Sequence, residues 1–318
     1  MCSLPHQHSP TTTSPASQCP SLVRTVPGGR QPLTPALYEF SGSAWCQVPK
    51  LAVEELGLQN VVEYKSVNLA EGANFNPEFL KVNPHGTVPT LVIEDGNTPK
   101  KYTDSTNATR EILKLAPNAP KTNTHTDHEL DKLIREVHSE EHDPNVLLLL
   151  AVNDEDRAAK AQGLPAAFLG GRQKALDQYA PAGGEFASFL QEKQKGNGAL
   201  LSFYTGNPDE AVRQKMYADA AAQWKSAGNL IRGEITHILR KTPGSFLGGS
   251  DAPGEADFHL ITWLARIITD AGGKPGSVSG EAFAALQQRI GSEPIDPVVA
   301  GYWDTWTQRP SFKKLGVH

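Results

Sequence analysis

The sequence lacks the cysteines that a disulfide-bonded fold requires. It has only three, Cys2, Cys19 and Cys46, and the first two lie in the N-terminal tail. Three cysteines cannot form a disulfide framework, and so few are typical of proteins kept in a reducing compartment. We therefore expect a cytoplasmic location.

Long apolar runs and blocks of positive charge are missing as well. The longest apolar run, residues 146–152, is far shorter than the roughly 20 residues that span a bilayer, so we expect a core segment there and no membrane partner. The formal net charge is −5, and without a basic block nucleic acid is not an expected partner. There is no P-loop and no dinucleotide fingerprint. With 318 residues, the chain is long enough for two domains.

Residues 1–35 are rich in proline, serine and threonine and show almost no apolar periodicity. This composition is typical of a disordered tail. Arg24 and Arg30, with no acidic residue, weakly resemble a transit peptide, but no amphipathic arginine-rich helix and no signal-peptide core are present. We expect a plain cytosolic tail.

Residues 36–55 contain the stretch around which the first half is organised. An apolar run of strand length, residues 36–40, precedes the polar turn SGS at residues 41–43. Apolar residues then recur at the spacing of one helix face. A helix that starts at such a turn aims backbone N–H groups and positive dipole at it, and a thiolate would be stabilised there. Because Cys46 lies inside the helix, we expect a small molecule to bring the thiol to Ser43.

Residues 61–115 continue with alternating strand and helix signals. The predicted elements are a strand over 61–67, a short helix over 77–82, a strand headed by Pro89, a hairpin turn at 95–97, a return strand over 100–103 and a helix over 107–115. The Val88-Pro89 bond is a candidate for the cis form, which is rare enough to imply a specific task. The predicted order is β-α-β-(α)-β-β-α.

Three segments of this half together resemble the thioredoxin-like half of serine-type glutathione S-transferases. They are SGSAWCQVPKLAVEELGL, NPHGTVPTLVIEDG and the pair Asp104-Ser105, in the same order and spacing. The resemblance implies a thioredoxin-like α/β domain over residues 36–115 that binds glutathione as co-substrate. It also implies a cis Pro89 and pairing of the Val88 backbone with the cysteinyl part of glutathione.

The resemblance further implies contacts at both ends of glutathione. Asp104 and Ser105 would hold the γ-glutamyl end, since a helix N-terminus receives its carboxylate and Asp104 answers its ammonium group. His85 or Thr87 would reach the glycyl end.

Ser43 aligns with the catalytic position of the serine-type members. A hydroxyl that donates a hydrogen bond to a thiolate stabilises the charged form and lowers the thiol pKa. Ser41 is the second candidate donor, and both serines could instead only shape the turn. Cys46 corresponds to the second cysteine of a C-x-x-C motif without its partner, so we expect a buried small side chain. Trp45 either lines the electrophile pocket or covers the start of the helix.

From residue 127 onward the sequence shows helical periodicity and no strand candidates. Residues 116–126 are typical of a linker, and residues 127–318 resemble the all-helical second half of the transferases. Helices are predicted at about 155–162, 171–179, 185–195, 209–240, 255–270, 281–289 and 297–308, after a first helix that Pro144 ends or kinks. Asp257 matches the family's structural acid, in a capping segment where Gly254 replaces the usual serine or threonine.

An extra helical block of about 164–205 interrupts this half. A similar insertion occurs in relatives of tetrachlorohydroquinone dehalogenase, and the helical half resembles that branch, including fungal members linked to aryl-ether cleavage. Phe168, Phe203 and Tyr204 would cap an aromatic pocket for the electrophile or pack the extra helices. The dehalogenase reaction needs a cysteine at the position of Trp45. Direct displacement of a phenolate, as in cleavage of a lignin-type β-aryl ether, is therefore favoured.

His138 and His142 belong to an H-x-x-E-H pattern that occurs on zinc-protease helices. No third ligand is evident in the sequence, so we expect no metal. One or both histidines would instead face the cleft that binds the electrophile.

These observations predict a glutathione transferase in which Ser43 activates the thiol for attack on a hydrophobic aromatic electrophile. A homodimer acting in detoxification or aromatic compound metabolism is expected from the resemblance. The alternatives are a non-catalytic ligand carrier with the same fold and a reductive dehalogenase or isomerase-type relative.

Overall fold

The computed structural model describes residues 34–94, 96, 98–116, 127–182 and 184–318. Most of the predicted tail, residues 117–126 of the predicted linker and two of the three residues of the 95–97 turn lie outside the described residues. None of the described helices is long and apolar enough to cross a membrane.

The first half is built on a four-stranded mixed sheet. Its strands are β1 (Ala36–Glu39), β2 (Glu63–Ser66), β3 (Thr90–Ile93) and β4 (Lys100–Tyr102). The strand order is β2-β1-β3-β4, with β1 parallel to β2 and antiparallel to β3, and with β4 antiparallel to β3. Leu37 of β1 is paired with Leu91 of β3, and both side chains are buried in the core that the helices close.

Three helices complete this half. They are α1 (Ala44–Glu55), α2 (Pro77–Val82) and α3 (Ser105–Leu115). α1 buries the apolar stripe that its spacing predicted. The predicted order of strands and helices is confirmed, and so is the cis bond between Val88 and Pro89 that precedes β3.

The second half, over residues 127–182 and 184–318, is helical and contains no strand. Its helices are α4 (His128–Val137), α5 (Pro144–Leu149), α6 (Asp154–Gln162), α7 (Leu164–Tyr179), α8 (Ala187–Thr205), α9 (Glu210–Leu230), α10 (Thr236–Lys241), α11 (Glu255–Asp270), α12 (Ser279–Ile290), α13 (Pro297–Gln308) and α14 (Pro310–Leu315). The predicted fold class, an α/β half followed by an all-helical half, is confirmed.

The segment predicted as one helix over 209–240 contains a π-helical turn. α9 passes into the turn Ile231–Ile235 and then into α10. Arg232 lies in this turn and donates hydrogen bonds to the carbonyl oxygens of Ile290 (3.0 Å) and Gly291 (2.8 Å). Periodicity predicted the extent of the helix, but the shift of hydrogen bonding to i→i+5 depends on contacts made elsewhere in the fold.

One hydrophobic core extends through both halves. Leu37 and Leu51 of the first half belong to the same buried cluster as Trp263 and Trp306 of the second half. α1 packs directly against α11. The position of α11 therefore bears on the turn before α1, which contains the predicted catalytic serine.

A buried carboxylate fixes the start of α11. Asp257 is fully buried and accepts hydrogen bonds from the backbone N–H groups of Gly254 (2.9 Å) and Leu247 (3.0 Å). The hydroxyl of Tyr302 donates to the same side chain at 3.1 Å. The prediction of Asp257 as a structural acid is confirmed.

α7 and α8 span the block predicted as an insertion, and they pack against each other. α7 also packs against the short 3₁₀ turn Leu69–Glu71 in the first half. The extra block is therefore in contact with the α/β half as well as with its own helical surroundings.

Candidate active site

The turn between β1 and α1 places Ser43 at the start of a helix. Ser43 is the N-cap residue of α1, with φ −90° and ψ 119°, and its side chain makes no capping hydrogen bond to the helix. The side chain is half-buried at the edge of a cavity. A hydroxyl in this position lies beside backbone N–H groups that favour an anion.

Two side chains that the sequence analysis did not identify hold this turn in place. Gln47 Nε2 donates to the carbonyl oxygen of Ser41 at 3.0 Å, and Arg266 Nη2 donates to that of Gly42 at 2.7 Å. Arg266 is 5% exposed and lies on α11, so the helical half helps to fix the turn. The signal for Arg266 is a lone basic residue within the otherwise apolar stretch LITWLARII.

Cys46 is a buried packing residue, as expected. Its Sγ accepts a hydrogen bond from the N–H of Phe40 at 3.4 Å. Burial raises the pKa of the Cys46 thiol to about 11, although a hydrogen bond with the Ser43 side chain opposes the shift. A buried thiol with a raised pKa is not suited to act as a nucleophile.

The loop before β3 is held by two buried asparagines. Asn83 Nδ2 donates to the carbonyl oxygen of Thr87 (2.9 Å) and to Thr90 Oγ1 (3.0 Å), and Asn74 Nδ2 donates to the carbonyl oxygen of Gly86 (2.7 Å). With the cis bond, these contacts fix the backbone up to Val88. The loop forms one wall of the cavity that Ser43 borders.

This cavity has a volume of about 1140 Å³ and lies between the two halves of residues 34–318. Both halves contribute aromatic and aliphatic side chains to its walls, and the chemically informative ones are Phe40, Ser43, Trp45, Asn74, Phe75, His85, Thr87, Val88, Asp143, Lys160, Phe168, Arg172, Arg266 and Asp270. A largely apolar cavity of this volume, with a few polar groups on its wall, is typical of a small-molecule site.

Most of the charged groups on the cavity come from the helical half. Burial raises the pKa of Asp270 to about 7, while Arg266 and Lys160 nearby oppose the shift. Oδ2 of Asp270 has no hydrogen-bond partner among the described residues. Burial also raises the pKa of Asp143 and lowers the pKa of Lys160. The sequence analysis did not identify these groups, because charged residues occur on most helices.

Five of the predicted site residues lie together on this cavity: Ser43, Trp45, His85, Thr87 and Val88. Ser41 and Pro89 adjoin the lining, but the part of the chain that the structure describes does not place them on it. Their predicted roles stay predictions.

Asp104 and Ser105 lie at the start of α3, off the described lining of the cavity. The exposed Asp104 carboxylate caps the helix by accepting hydrogen bonds from Asn107 N (2.7 Å) and Nδ2 (2.6 Å). Ser105 is buried, and its Oγ lies 3.4 Å from Nε2 of His138. Both side chains therefore already have local partners.

His138 lies under Trp45 rather than on the described cavity wall. The two rings stack with centroids 3.8 Å apart, and His138 Nε2 lies 2.8 Å from Nδ1 of His259. Burial lowers the pKa of His138 to about 4, so the imidazole is neutral. Trp45 also lines the cavity, and its contact with an electrophile stays a prediction.

His142 and Tyr204 pack away from the cavity as far as the described residues show. His142 is 8% exposed and bonds to Ser139 and Ser226 at 3.0 Å each. The hydroxyl of buried Tyr204 donates to the carbonyl oxygen of Leu149, and its ring meets that of Phe203 edge-on. Of the three aromatic residues that the sequence analysis expected on the pocket in this block, Phe168 is the one on the described lining.

The H-x-x-E-H pattern does not assemble a metal centre. His138 and His142 have the separate partners described above, and Glu141 accepts a hydrogen bond from Ser226 Oγ at 2.6 Å. Among the described residues, no group of three or more histidine, cysteine, aspartate or glutamate side chains could hold a metal ion.

Sequence comparison identifies the first half. The family model described as glutathione S-transferase, N-terminal domain, matches residues 37–120. Glutathione S-transferase 1 of Dianthus caryophyllus is 46% identical over 59 residues, which cover 19% of this chain and 26% of the relative. A zeta-class glutathione S-transferase of Euphorbia esula is 45% identical over 56 residues, which cover 18% of this chain and 24% of the relative. The chain thus aligns with about a quarter of the length of these curated relatives.

Structure comparison extends the likeness to both halves. The beta-etherase LigF from Sphingobium sp. superposes with a TM-score of 0.55 at 18% identity, covering 89% of this chain and 99% of that one. A glutathione transferase homologue from Sulfitobacter with bound glutathione superposes with a TM-score of 0.52 at 16% identity. The superposition covers 90% of this chain and 100% of that one. At these identities the superpositions show a shared fold. Residues 37–120 thus match the glutathione S-transferase N-terminal domain, and both halves share the fold of these two proteins.

Proposed function

We propose that this protein is a glutathione transferase that activates the thiol of glutathione at Ser43 for attack on a hydrophobic aromatic electrophile. One observation carries the proposal. Ser43 heads α1 with a hydroxyl free of capping, and it borders the same cavity as the cis-proline loop that ends in Val88. A hydrogen bond from that hydroxyl to the bound thiolate would favour the charged form.

Glutathione would lie against the first half. The main chain of Val88, a residue that lines the cavity, would pair with the cysteinyl part of the tripeptide. Asp104 and Ser105 would hold the γ-glutamyl end, and the exposed Asp104 carboxylate would form an ion pair with its ammonium group. His85 and Thr87, both exposed, would lie towards the glycyl end.

The electrophile would occupy the part of the cavity that the helical half closes. The rings of Phe40 and Trp45 from the first half and of Phe168 from the second line the cavity and suit an aromatic substrate. We propose a β-aryl ether as the substrate class. The thiolate sulfur would form a C–S bond to the carbon that bears the aryl oxygen, the C–O bond would break, and the phenolate would leave and take a proton from water.

Cys46 favours this displacement over dehalogenase-type chemistry. A protein thiol that removes glutathione from an intermediate must reach the cavity and ionise. Cys46 is fully buried, the pKa of its thiol is raised, and Trp45 occupies the position where that branch has its cysteine. The proposed reaction needs no protein cysteine.

Ser43→Ala tests the proposal. We expect glutathione to bind with similar affinity in calorimetry. The pKa of the bound thiol, followed by thiolate absorbance, should rise by at least one unit, with a roughly tenfold or greater loss of turnover, since one pKa unit is a factor of ten in thiolate. The matched control is Ser66→Ala, which removes an exposed hydroxyl on β2.

The electrophile class is tested by screening aryl ethers and haloaromatics with glutathione and weighing the products. Turnover that Ser43→Ala retains and Ser41→Ala loses would move the role to Ser41. Glutathione binding by the wild type without turnover of any electrophile would contradict the proposed activity and favour a ligand carrier.

A further inference from the structure

Arg172 is a half-buried cation that the proposed chemistry does not use. It lies in α7, within the block predicted as an insertion, and it lines the cavity. Its guanidinium stands over two aromatic rings, at 4.6 Å from the centroid of Phe75 and 5.1 Å from that of Phe168. Phe75 belongs to the α/β half, so Arg172 bridges the two halves at the cavity wall.

No described residue gives Arg172 a counter-ion. Its guanidinium forms no hydrogen bond and no ion pair with any of the described side chains or carbonyl groups, in contrast to Arg266, which donates to Gly42, and Arg110, which pairs with Glu255 (2.5 Å) and Asp131 (2.7 Å). Burial alone lowers the pKa of Arg172 to about 10, so the group remains charged at neutral pH. A partly desolvated charge without a partner is costly, and the cost is recovered when an anion binds.

The backbone that carries Arg172 is held in place by close packing. A Cβ atom at Gly171 would lie 2.0 Å from the carbonyl oxygen of Ala70, so only glycine permits this approach of α7 to the first half. Gly72, with φ +68°, lies against Ala175 in the same contact. The guanidinium is therefore pre-positioned, which reduces the entropy lost when it binds a ligand.

We propose that Arg172 is the anion-binding residue of this cavity and that it binds a carboxylate of the ligand. The proposal rests on the proposed function for the nature of that ligand, because glutathione and an acidic electrophile could each supply the carboxylate. A planar guanidinium matches a carboxylate with two parallel hydrogen bonds while its faces stay on the aromatic rings. The insertion thereby adds a charge-selective contact to a cavity whose walls are mainly apolar.

Arg172→Met tests the proposal without reference to glutathione. The probes are phenoxyacetate and its neutral amide, phenoxyacetamide, with binding measured by calorimetry. The wild type should prefer the carboxylate by about 10- to 100-fold, as expected for a charge-assisted pair. Arg172→Met should lose the preference and Arg172→Lys should retain part of it. Lys174→Met is the matched control, since it removes the same charge from an exposed position on the same helix.

Two further arms identify the source of the carboxylate. If the glycyl end of glutathione supplies it, Arg172→Met should weaken binding of glutathione but not of its glycyl ethyl ester. If the electrophile supplies it, the variant should raise KM for a carboxylated aryl ether and leave KM for the neutral analogue unchanged.

The outcomes are distinguishable. No charge preference in the folded wild type, or the same preference in Arg172→Met, would overturn the anion site whether or not glutathione binds. Failure of the wild type to bind glutathione would overturn the proposed function. The phenoxyacetate measurement would still test whether Arg172 binds a carboxylate. Arg172→Gln replaces the methionine variant if circular dichroism shows that the latter is unfolded.

Discussion

The two halves of the protein contribute different kinds of chemical group to the cavity wall. The α/β half contributes a helix start, a backbone loop fixed by a cis bond and small polar side chains such as Ser43. The helical half contributes most of the long charged side chains, among them Lys160, Arg172, Arg266 and Asp270. Under the proposed function, the first half would bind glutathione and the side chains of the second half would select among electrophiles.

The two kinds of wall would respond differently to substitution. Backbone donors and acceptors change little when side chains vary, so the glutathione binding proposed for the first half would persist. The charged and aromatic wall depends on individual side chains of α5 to α8 and α11. The contacts of Arg266 with Gly42 and of α7 with Leu69–Glu71 link the two kinds of wall.

The largest expected effect on stability tests whether the halves fold as one unit. Asp257→Ala would remove the buried carboxylate that accepts from the N–H groups of Gly254 and Leu247, and we expect a loss of about 3 kcal/mol in the free energy of unfolding. Because the core is continuous, hydrogen exchange in β1 and in α11 should accelerate by the same factor.

The control for that prediction is Asp127→Ala. Asp127 caps α4 from an exposed position and accepts from the N–H groups of Glu129 (3.0 Å) and Leu130 (3.2 Å), so its loss should cost only about 1 kcal/mol. Faster exchange in α11 with an unchanged β1 would show that the halves are independent.

A smaller loss of stability is expected when a substitution disrupts one contact between the halves. Gly171→Ala would place a methyl group against the carbonyl of Ala70, and overpacking of this kind costs about 2 kcal/mol. Exchange in α7 should accelerate, and thermal unfolding should occur at a lower temperature. Gly170→Ala is a control one residue away with open space around its added methyl group. It should be neutral or slightly stabilising, because alanine favours helix; equal losses would argue against close docking of α7.

The smallest expected effect is a pH dependence of stability caused by a charged group of the helical half, Asp270. The folded pKa of Asp270, about 7, lies above the unfolded value, so the neutral carboxyl group is favoured by folding. The stability from this group is present below the unfolded pKa of roughly 4 and is lost as pH rises through 7.

Asp270→Asn mimics the neutral form and should remove this dependence. Urea unfolding at pH 5 and pH 8 should show the variant gaining about 1 kcal/mol over wild type between these values, since water at the cavity wall screens much of the full shift. Asp251→Asn, at an exposed position, should give no pH-dependent difference. A wild type whose stability rises over this range would contradict the assignment.

The site was partly predictable. Ser43, Val88 and the cis Pro89 follow from short motifs, and the structure places the first two on the cavity. His142 and Tyr204 were expected on the electrophile pocket, but the structure gives their polar atoms partners in the packed helices instead. Side-chain direction on a helix depends on which face its neighbours cover, and that is not visible in the motif.

The order of strands and helices, the position of Ser43 at a helix start and the isomer before β3 follow from local sequence. They depend on apolar spacing, turn residues and proline, whose effects extend over only a few residues. The position of Arg172 over Phe75 and the hydrogen bond from Arg266 to Gly42, across 224 positions of the chain, follow only from packing. Contacts between distant residues depend on how whole helices settle in the core, because each side chain's partner is set by elements that the local pattern does not specify.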